Sequence, residues 1–502
     1  RPDNMESTNL TLSTVSHEEA ARQFARRHGV RVADMPNGSF FCSERVMLRS
    51  HLGTHLDAPL HFYPTSEERP AKTIDEVPLE WCFGDAVVLD FRNKKPSDPI
   101  TEKDIASELE RIGYKLKGGN FVILWTGGTD RYEDPRFAEV AAGMNKAALH
   151  YLFHLGIRIM ATDSATMDMP IPLMTERLLK GDKDSYFPIH RAGRFTEWTH
   201  AEKLANLGSL PAPFGFKVMF FPVKIAHATG AWCRAVAIQD EWLDSRPIQL
   251  VDLSLPIMNH SFEPEENRIV HIPGNQARRA KAKRLRLPVE EINHAGATDD
   301  VDISTHAGTH IDAPFHFGPV VNGKRAATVD ELPLDWFYGE GFLLDFSKSK
   351  RAGEKISTAE LHDQLKRIGV PLKNGDIVLI RTGAADHFAG DPAFADLSPA
   401  LAREAFLWLL DQGVRLIGCD AESLDGPVGP MAEALKSGKQ ENFFPVHYAG
   451  RDREFCLVHK LNLSGLPGAR GFKVAAFPVK IEGCGASWTR AVALVDMTAE
   501  KS

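Results

Sequence analysis

One pattern constrains this chain more than any other: it is written twice. "IDEVPLEWCFGDAVVLDF" at 74–91 returns as "VDELPLDWFYGEGFLLDF" at 329–346, and "FPIHRAGR" at 187–194 returns as "FPVHYAGR" at 444–451. "GFKVMFFPVKI" at 215–225 matches "GFKVAAFPVKI" at 471–481, and "AWCRAVAIQD" matches "SWTRAVALVD", all at offsets of about 255 residues. A period this long copies a whole domain, so the fold must be a tandem duplication. The length of 502 residues agrees, being too great for one ordinary core. The boundary is expected in "DEWLDSRPIQ", 240–249, giving copies 1–245 and 246–502. "LVDLSLPI" opens the second copy without a clear counterpart in the first, whose edge strand is either absent from this sequence or diverged.

Within each copy, apolar β-branched runs such as "AVVLDF", "FVILWTG", "IRIMATD" and "KVMFFPVKI" predict buried strands. "TEKDIASELERIG" begins with Thr101 and has Asp104 three residues on, the arrangement of a capping box ahead of helically spaced apolar positions; Ser357 and Glu360 repeat it. Strands alternating with helices make each copy an α/β domain, with hairpin-like segments leaving room for a mixed sheet.

Composition narrows the classes of partner. With 43% hydrophobic and 25% charged residues the chain reads as a soluble globular protein, and a net charge of −8 gives no reason to expect nucleic acid or an anionic membrane. "RRAKAKRLR", 278–286, gathers six basic groups, but without interleaved aromatic residues it reads as a solvated face. Cys42, Cys82, Cys233, Cys419, Cys456 and Cys484 form no C-x-x-C pair, which fits neither a disulfide framework nor a thiolate zinc site. A reducing, cytoplasmic setting is therefore expected. No apolar run approaches the roughly 18 residues of a membrane span. Walker and dinucleotide-binding motifs are absent as well.

The residues that carry chemistry sit in "SHLGTHLDAPLHF", 50–62, and its echo "THAGTHIDAPFHF", 305–317. Each supplies three histidines and one aspartate: His51, His55, Asp57 and His61, then His306, His310, Asp312 and His316. Gly53 and Pro59 argue against one continuous helix. In an extended segment His55 and Asp57 share a side, and Pro59 can bend the chain so that His61 swings back. Imidazole with carboxylate suits Zn²⁺, Mn²⁺ or Fe²⁺ better than Mg²⁺ or Ca²⁺.

H-x-G-T-H-x-D-x-P-x-H resembles the signature of the metal-dependent "putative cyclase" superfamily, which includes bacterial kynurenine formamidase and isatin hydrolase. The resemblance extends once through each copy, including "ILWTG", "LIRTG" and the "PVKI…RAVA" endings. It implies a kynurenine formamidase-like, swivelling β/β/α domain, and pockets near a subunit interface that a tandem chain can reproduce as an internal pseudo-dimer, with further homo-oligomerisation left open. It implies that the first two histidines and the aspartate hold one metal, with the aspartate able to bridge to a second, and that the last motif histidine with a downstream His and Glu completes the second position or acts as general base. The matching candidates are His190 and Glu202 in the first copy, His447 and His459 in the second. His61 and His316 are the implied proton carriers.

The copies differ at one point: His459 stands where the first copy has Glu202, and Glu454, matching Glu197, is the nearest other carboxylate. Losing a negative charge weakens a second divalent cation, so a dinuclear first site and a mononuclear or altered second site are expected, with zinc or manganese. The expected activity is hydrolysis of an amide-like C–N bond in a small molecule, an aryl formamide, lactam or cyclic imide, by metal-bound hydroxide. Two alternatives stay open: cyclisation or elimination at the same site, and one copy serving as a silent scaffold. Ser164 and Ser423 lie outside any nucleophile elbow and are read as backbone organisers. Asp163 and Asp420 end buried strands and are expected to orient a histidine or a loop. Trp81, Trp125 and Trp232 are candidate pocket walls, though tryptophan is more often core.

Overall fold

The computed structural model describes residues 10–259, 266–388, 391 and 393–498. It divides into two compact units, one formed by Met47–Glu241 with Ile269–Val301, the other by Thr11–Val46, Trp242–Arg268 and the described chain from Asp302 onward. The main division at Glu241 falls inside the expected boundary. The units nevertheless do not coincide with copies 1–245 and 246–502, because residues 11–46 group with the unit that holds most of the second copy and 269–301 with the unit that holds most of the first.

The first unit is built on eight strands: β1 (His55–Asp57), β2 (Phe83–Asp90), β3 (Phe121–Trp125), β4 (Ile159–Thr162), β5 (Thr199–Glu202), β6 (Lys217–Met219), β7 (Gly230–Trp232) and β8 (Val236–Ile238). Their order is β7-β1-β5-β4-β3-β2-β6-β8. The β2 to β5 pairs are parallel, and the outer pairs are antiparallel. Parallel strands need both faces covered, which is why "AVVLDF" and "FVILW" are apolar almost throughout. Val87, Leu89, Val122 and Leu124 point to one face and pack on Ile105, Leu109, Leu149 and Leu152 of the covering helices. The helix Glu102–Ile112 starts in the predicted capping box, Thr101 accepting from the Asp104 amide while Asp104 accepts from the Thr101 amide.

The second unit repeats this plan with β9 (Ile248–Asp252), β10 (His310–Asp312), β11 (Tyr338–Asp345), β12 (Ile377–Arg381), β13 (Leu416–Cys419), β14 (Cys456–His459), β15 (Phe472–Ala475), β16 (Ala486–Trp488) and β17 (Val492–Asp496). The order is β9-β17-β15-β11-β12-β13-β14-β10-β16. The extra edge strand, β9, comes from "IQLVD", the segment for which the first copy offered no match. Ser357 and Glu360 cap Thr358–Ile368 as expected. The two mixed sheets share one strand plan, as a tandem duplication requires. All six cysteines are buried, and none forms a disulfide. Among the described residues no helix is long and apolar enough to cross a membrane.

Candidate metal centres

In the first unit the His/Asp motif is a short strand followed by one helical turn. β1 pairs antiparallel with β5, setting His55 opposite Glu202 and Asp57 opposite His200. Pro59 then starts the turn Pro59–Phe62, which brings His61 back toward Asp57, Nε2 to Oδ2 3.7 Å. His190 arrives from a separate turn, Pro188–Ala192, entered through Phe187 in the left-handed region at φ 49°. Its Nε2 lies 3.8 Å from Asp57 Oδ2. The sequence-predicted His51, His55, Asp57, His61, His190 and Glu202 thus meet at one place, with Asp57 at the centre.

Hydrogen bonds made outward orient the rings inward. Nδ1–H of His55 donates to Gly53 O at 2.8 Å, that of His61 to Ala297 O at 2.6 Å, and that of His190 to Asp168 Oδ2 at 2.5 Å. Fixing the tautomer this way leaves each Nε2 lone pair directed at the cluster. His55 Nε2 is buried and has no hydrogen-bond partner. His51 is more committed, its Nδ1 2.6 Å from Asp57 and its Nε2 3.0 Å from Thr229 Oγ1.

His200 was not singled out from the sequence. It lies in "TEWTHAEK" ten residues after His190, and only its register beside Asp57 reveals it. Its Nε2 is 3.1 Å from Asp57 Oδ2 and 3.0 Å from Glu202 Oε1. Burial alone would lower its pKa, but the two carboxylates outweigh burial and raise it. Asp57 in turn stays well below the usual carboxylate range despite its burial, held there by His61, His51 and His200. Burial drives His61 the other way, to about 3 against the pull of Asp57, so it is neutral and its Nε2 carries a lone pair. Ligand atoms of Asp57, His190, His200 and Glu202 all lie within 4.8 Å of one another, as do those of His51, Asp57 and His61. Buried imidazole nitrogens and two carboxylates, one nitrogen orphaned, are the donor set of a transition-metal site. The residues fit such an ion.

The second unit keeps the scaffold and changes the donors. β10 pairs with β14 so that His310 faces His459 and Asp312 faces Leu457. His459 therefore occupies the Glu202 position, and Leu457 that of His200. Nδ1–H groups of His310 and His316 donate to Gly308 O and Cys42 O, and that of His447 donates to Asp425. Nε2 atoms of His316, His447 and His459 stand 3.8, 3.8 and 3.1 Å from Asp312 Oδ2. His306 Nε2, His459 Nε2 and Asp312 Oδ1 are buried without hydrogen-bond partners. Candidate clusters are His306, Asp312, His316 and Asp312, His447, His459. Neither contains the second carboxylate, and exposed Glu454 does not supply it.

Some secondary expectations hold and others are redirected. Asp163 accepts from Thr126 N and Oγ1, and Asp420 from Thr382, so both brace loops. Histidine orientation falls instead to Asp168 and Asp425. Ser164 and Ser423 bond within their own loops, to Thr166 O and Asp425. The first cluster opens into a cavity of about 530 Å³ bordered by Tyr186, Phe187 and His294 rather than by Trp81, Trp125 or Trp232. Trp232 is core, and Trp125 stacks under the Arg92 guanidinium, 3.6 Å away. The basic stretch is not wholly a solvated face either: Lys281 and Arg284 line this cavity.

The two pockets are walled differently by their exchanged segments. Ala297 O and Cys42 O receive equivalent histidines, which aligns Gly296 with Phe41 and His294 with Ser39. A Cβ on Gly296 would lie 2.3 Å from His61 Cε1, so the absence of a side chain keeps that ring in place. Phe41 instead packs its ring 4.9 Å from His447 and 5.6 Å from His316. With Phe24, Phe40, Phe443 and Phe444 it makes an aromatic wall, and the second cavity is about 330 Å³.

The chain is similar to several known proteins. A kynurenine formamidase of Erythrobacter litoralis is 31% identical over 190 residues, 38% of this chain and 73% of the relative. That of Salinibacter ruber is 27% identical over 190 residues, 38% of this chain and 76% of the relative. Among solved structures, isatin hydrolase A from Ralstonia solanacearum is 22% identical, covering 50% of this chain and 92% of its own, with a TM-score of 0.39. A structure described as a novel cyclase is 20% identical, covering 51% and 93%, with a TM-score of 0.42. The family model described as "Putative cyclase" matches residues 9–169 and again 251–426. Matched over more than half its length, once in each copy, the chain belongs to the Cyclase family.

Proposed function

We propose that the first unit is a metal-dependent hydrolase of an amide-like C–N bond in a small molecule, an aryl formamide, lactam or cyclic imide. The observation that carries this reading is the set of three imidazoles whose Nδ1–H groups are tied outward, leaving Nε2 lone pairs converging on Asp57 beside Glu202. Kynurenine formamidases among the relatives support the bond type. His55, Asp57, His190, His200 and Glu202 would hold the metal, with His51 released from Thr229 to join them. A bound divalent zinc or manganese ion supplies Lewis acidity, acidifying water and polarising a carbonyl.

The chain's own groups do the rest. Neutral His61, held by Ala297 O, takes a proton at Nε2 and returns it to the departing nitrogen. Asp168 keeps His190 from rotating, and the Thr199 hydroxyl, donating to Asp57 O at 2.5 Å, fixes the central carboxylate's backbone. Gly296, lacking a side chain, lets the His61 ring keep its place at the cavity wall.

The second unit is proposed to bind one ion or an altered set, and to be silent or much weaker in turnover. One carboxylate where the first cluster has two supports this, as does the ring of Phe41 over His447. Zinc- or manganese-loaded protein should hydrolyse at least one member of a panel of formanilides, isatin-like lactams and cyclic imides, the product gaining one water, and chelation should abolish it. A product that has gained no water would favour cyclisation and overturn the reading.

A further inference from the structure

The wall of the first cavity holds polar groups that the hydrolytic site does not use. The helix Gly274–Leu285 is pinned by Ala282, buried against Met174, Tyr186 and Ile292. That anchoring turns Lys281 and Arg284, one helical step apart, to the cavity. The Lys281 ammonium sits 5.7 Å from the Tyr186 ring centroid and 5.9 Å from that of Phe187. No carboxylate among the described residues pairs with it. The Tyr186 hydroxyl and His294 Nε2, buried in the same wall, have no hydrogen-bond partner. A cation with no counter-ion beside unsatisfied polar groups costs stability unless a ligand answers it.

The second unit is an internal control. The helix His17–His28, also twelve residues with a left-handed cap, puts Phe24 at the Lys281 position and Arg27 at that of Arg284. Phe443 stands for Tyr186 and Ser39 for His294. All three polar groups change together, and Phe24 packs on Phe443 with centroids 5.3 Å apart. Burial lowers the Lys281 pKa to about 8, the signature of an ammonium lacking a partner charge.

Building on the hydrolase reading above, we propose that the first pocket takes a substrate bearing a carboxylate beside its scissile amide, and that Lys281, assisted by Arg284, reads that charge. A charge-assisted hydrogen bond in a partly dry pocket separates anion from neutral analogue by roughly 10- to 100-fold.

Two measurements test this together: KM and kcat for formanilide and its ring-carboxylated derivative, and calorimetric affinity for benzoate against benzamide. In the full chain, Lys281→Met should raise KM for the carboxylated substrate, and weaken benzoate, by roughly 10- to 100-fold. It should leave kcat, formanilide and benzamide unaffected. Lys281→Arg should retain most of the preference, which separates lost charge from a damaged fold. Equal use of both substrates by the unaltered protein, or equal damage to both by Lys281→Met, would overturn the proposal. If no anilide is hydrolysed yet benzoate binds and Lys281→Met abolishes it, carboxylate recognition stands and the hydrolase reading falls. If benzoate binds no better than benzamide, carboxylate recognition falls whatever the turnover.

Discussion

The two units are one design carried to different ends. Both place a strand of sequence His-x-Asp against a partner strand, anchor three imidazoles by their Nδ1–H groups, and use a left-handed Phe before a proline turn to deliver one of the three. Their difference shows in six exchanges at equivalent places: Glu202 against His459, His200 against Leu457, Gly296 against Phe41, Lys281 against Phe24, Tyr186 against Phe443 and His294 against Ser39. Most move the second site toward lower negative charge or a more apolar, more filled pocket. A duplicated scaffold can therefore keep its fold while its donors and pocket walls diverge.

The sharpest way to break this comparison is to remove one imidazole from each centre. His55→Ala should lower turnover by about a thousandfold or more, since Lewis-acid stabilisation worth several kcal/mol depends on it. His310→Ala should leave turnover nearly intact. Comparable losses from both would make the second unit catalytic.

Pocket shape comes next. Gly296→Phe imports the second unit's side chain onto His61, where even a Cβ is too close. We expect kcat/KM to fall by roughly 100-fold or more, with His61 displaced and access narrowed together. Phe41→Gly should enlarge the second cavity without conferring activity, because the missing carboxylate is not restored. Assays of the purified variants on one substrate decide both.

A subtler test exploits the orienting aspartates. Asp168→Asn keeps the size of the side chain but weakens the acceptor for His190 Nδ1–H, and should cost about 10- to 100-fold in metal affinity at the first centre, read by competition with a chelating dye. Asp425→Asn should act on the second centre only. The smallest effect is a control: Thr101→Ala and Ser357→Ala each remove a helix cap, and each should lower stability by about 1 kcal/mol in denaturant titrations. Equal costs would confirm that divergence is confined to the sites.

Much of this was legible in the sequence, because repetition exposes what spacing alone would not. The duplicated plan, the capping boxes at Thr101 and Ser357, the meeting of His51 through His61, and the exchange of Glu202 for His459 all follow from local pattern and alignment of the copies. What escaped depended on tertiary pairing. His200 looks like an ordinary strand residue until register sets it beside Asp57. Asp168 lies 22 residues before His190 and becomes its partner only when two loops meet. The exchange of residues 11–46 and 269–301 between units was invisible because helices of similar length serve both. The stretch "RRAKAKRLR" misled for the same reason: its tyrosine partner comes from residue 186, so no aromatic interleaves locally.

Whether one chain carries one competent centre and one altered centre is decided by metal content and turnover measured on the same preparations of the unaltered, His55→Ala and His310→Ala proteins. His55→Ala should lose most bound metal and nearly all activity, while His310→Ala should lose the smaller share of metal and stay active. Equal metal loss with equal loss of activity in the two variants would contradict it.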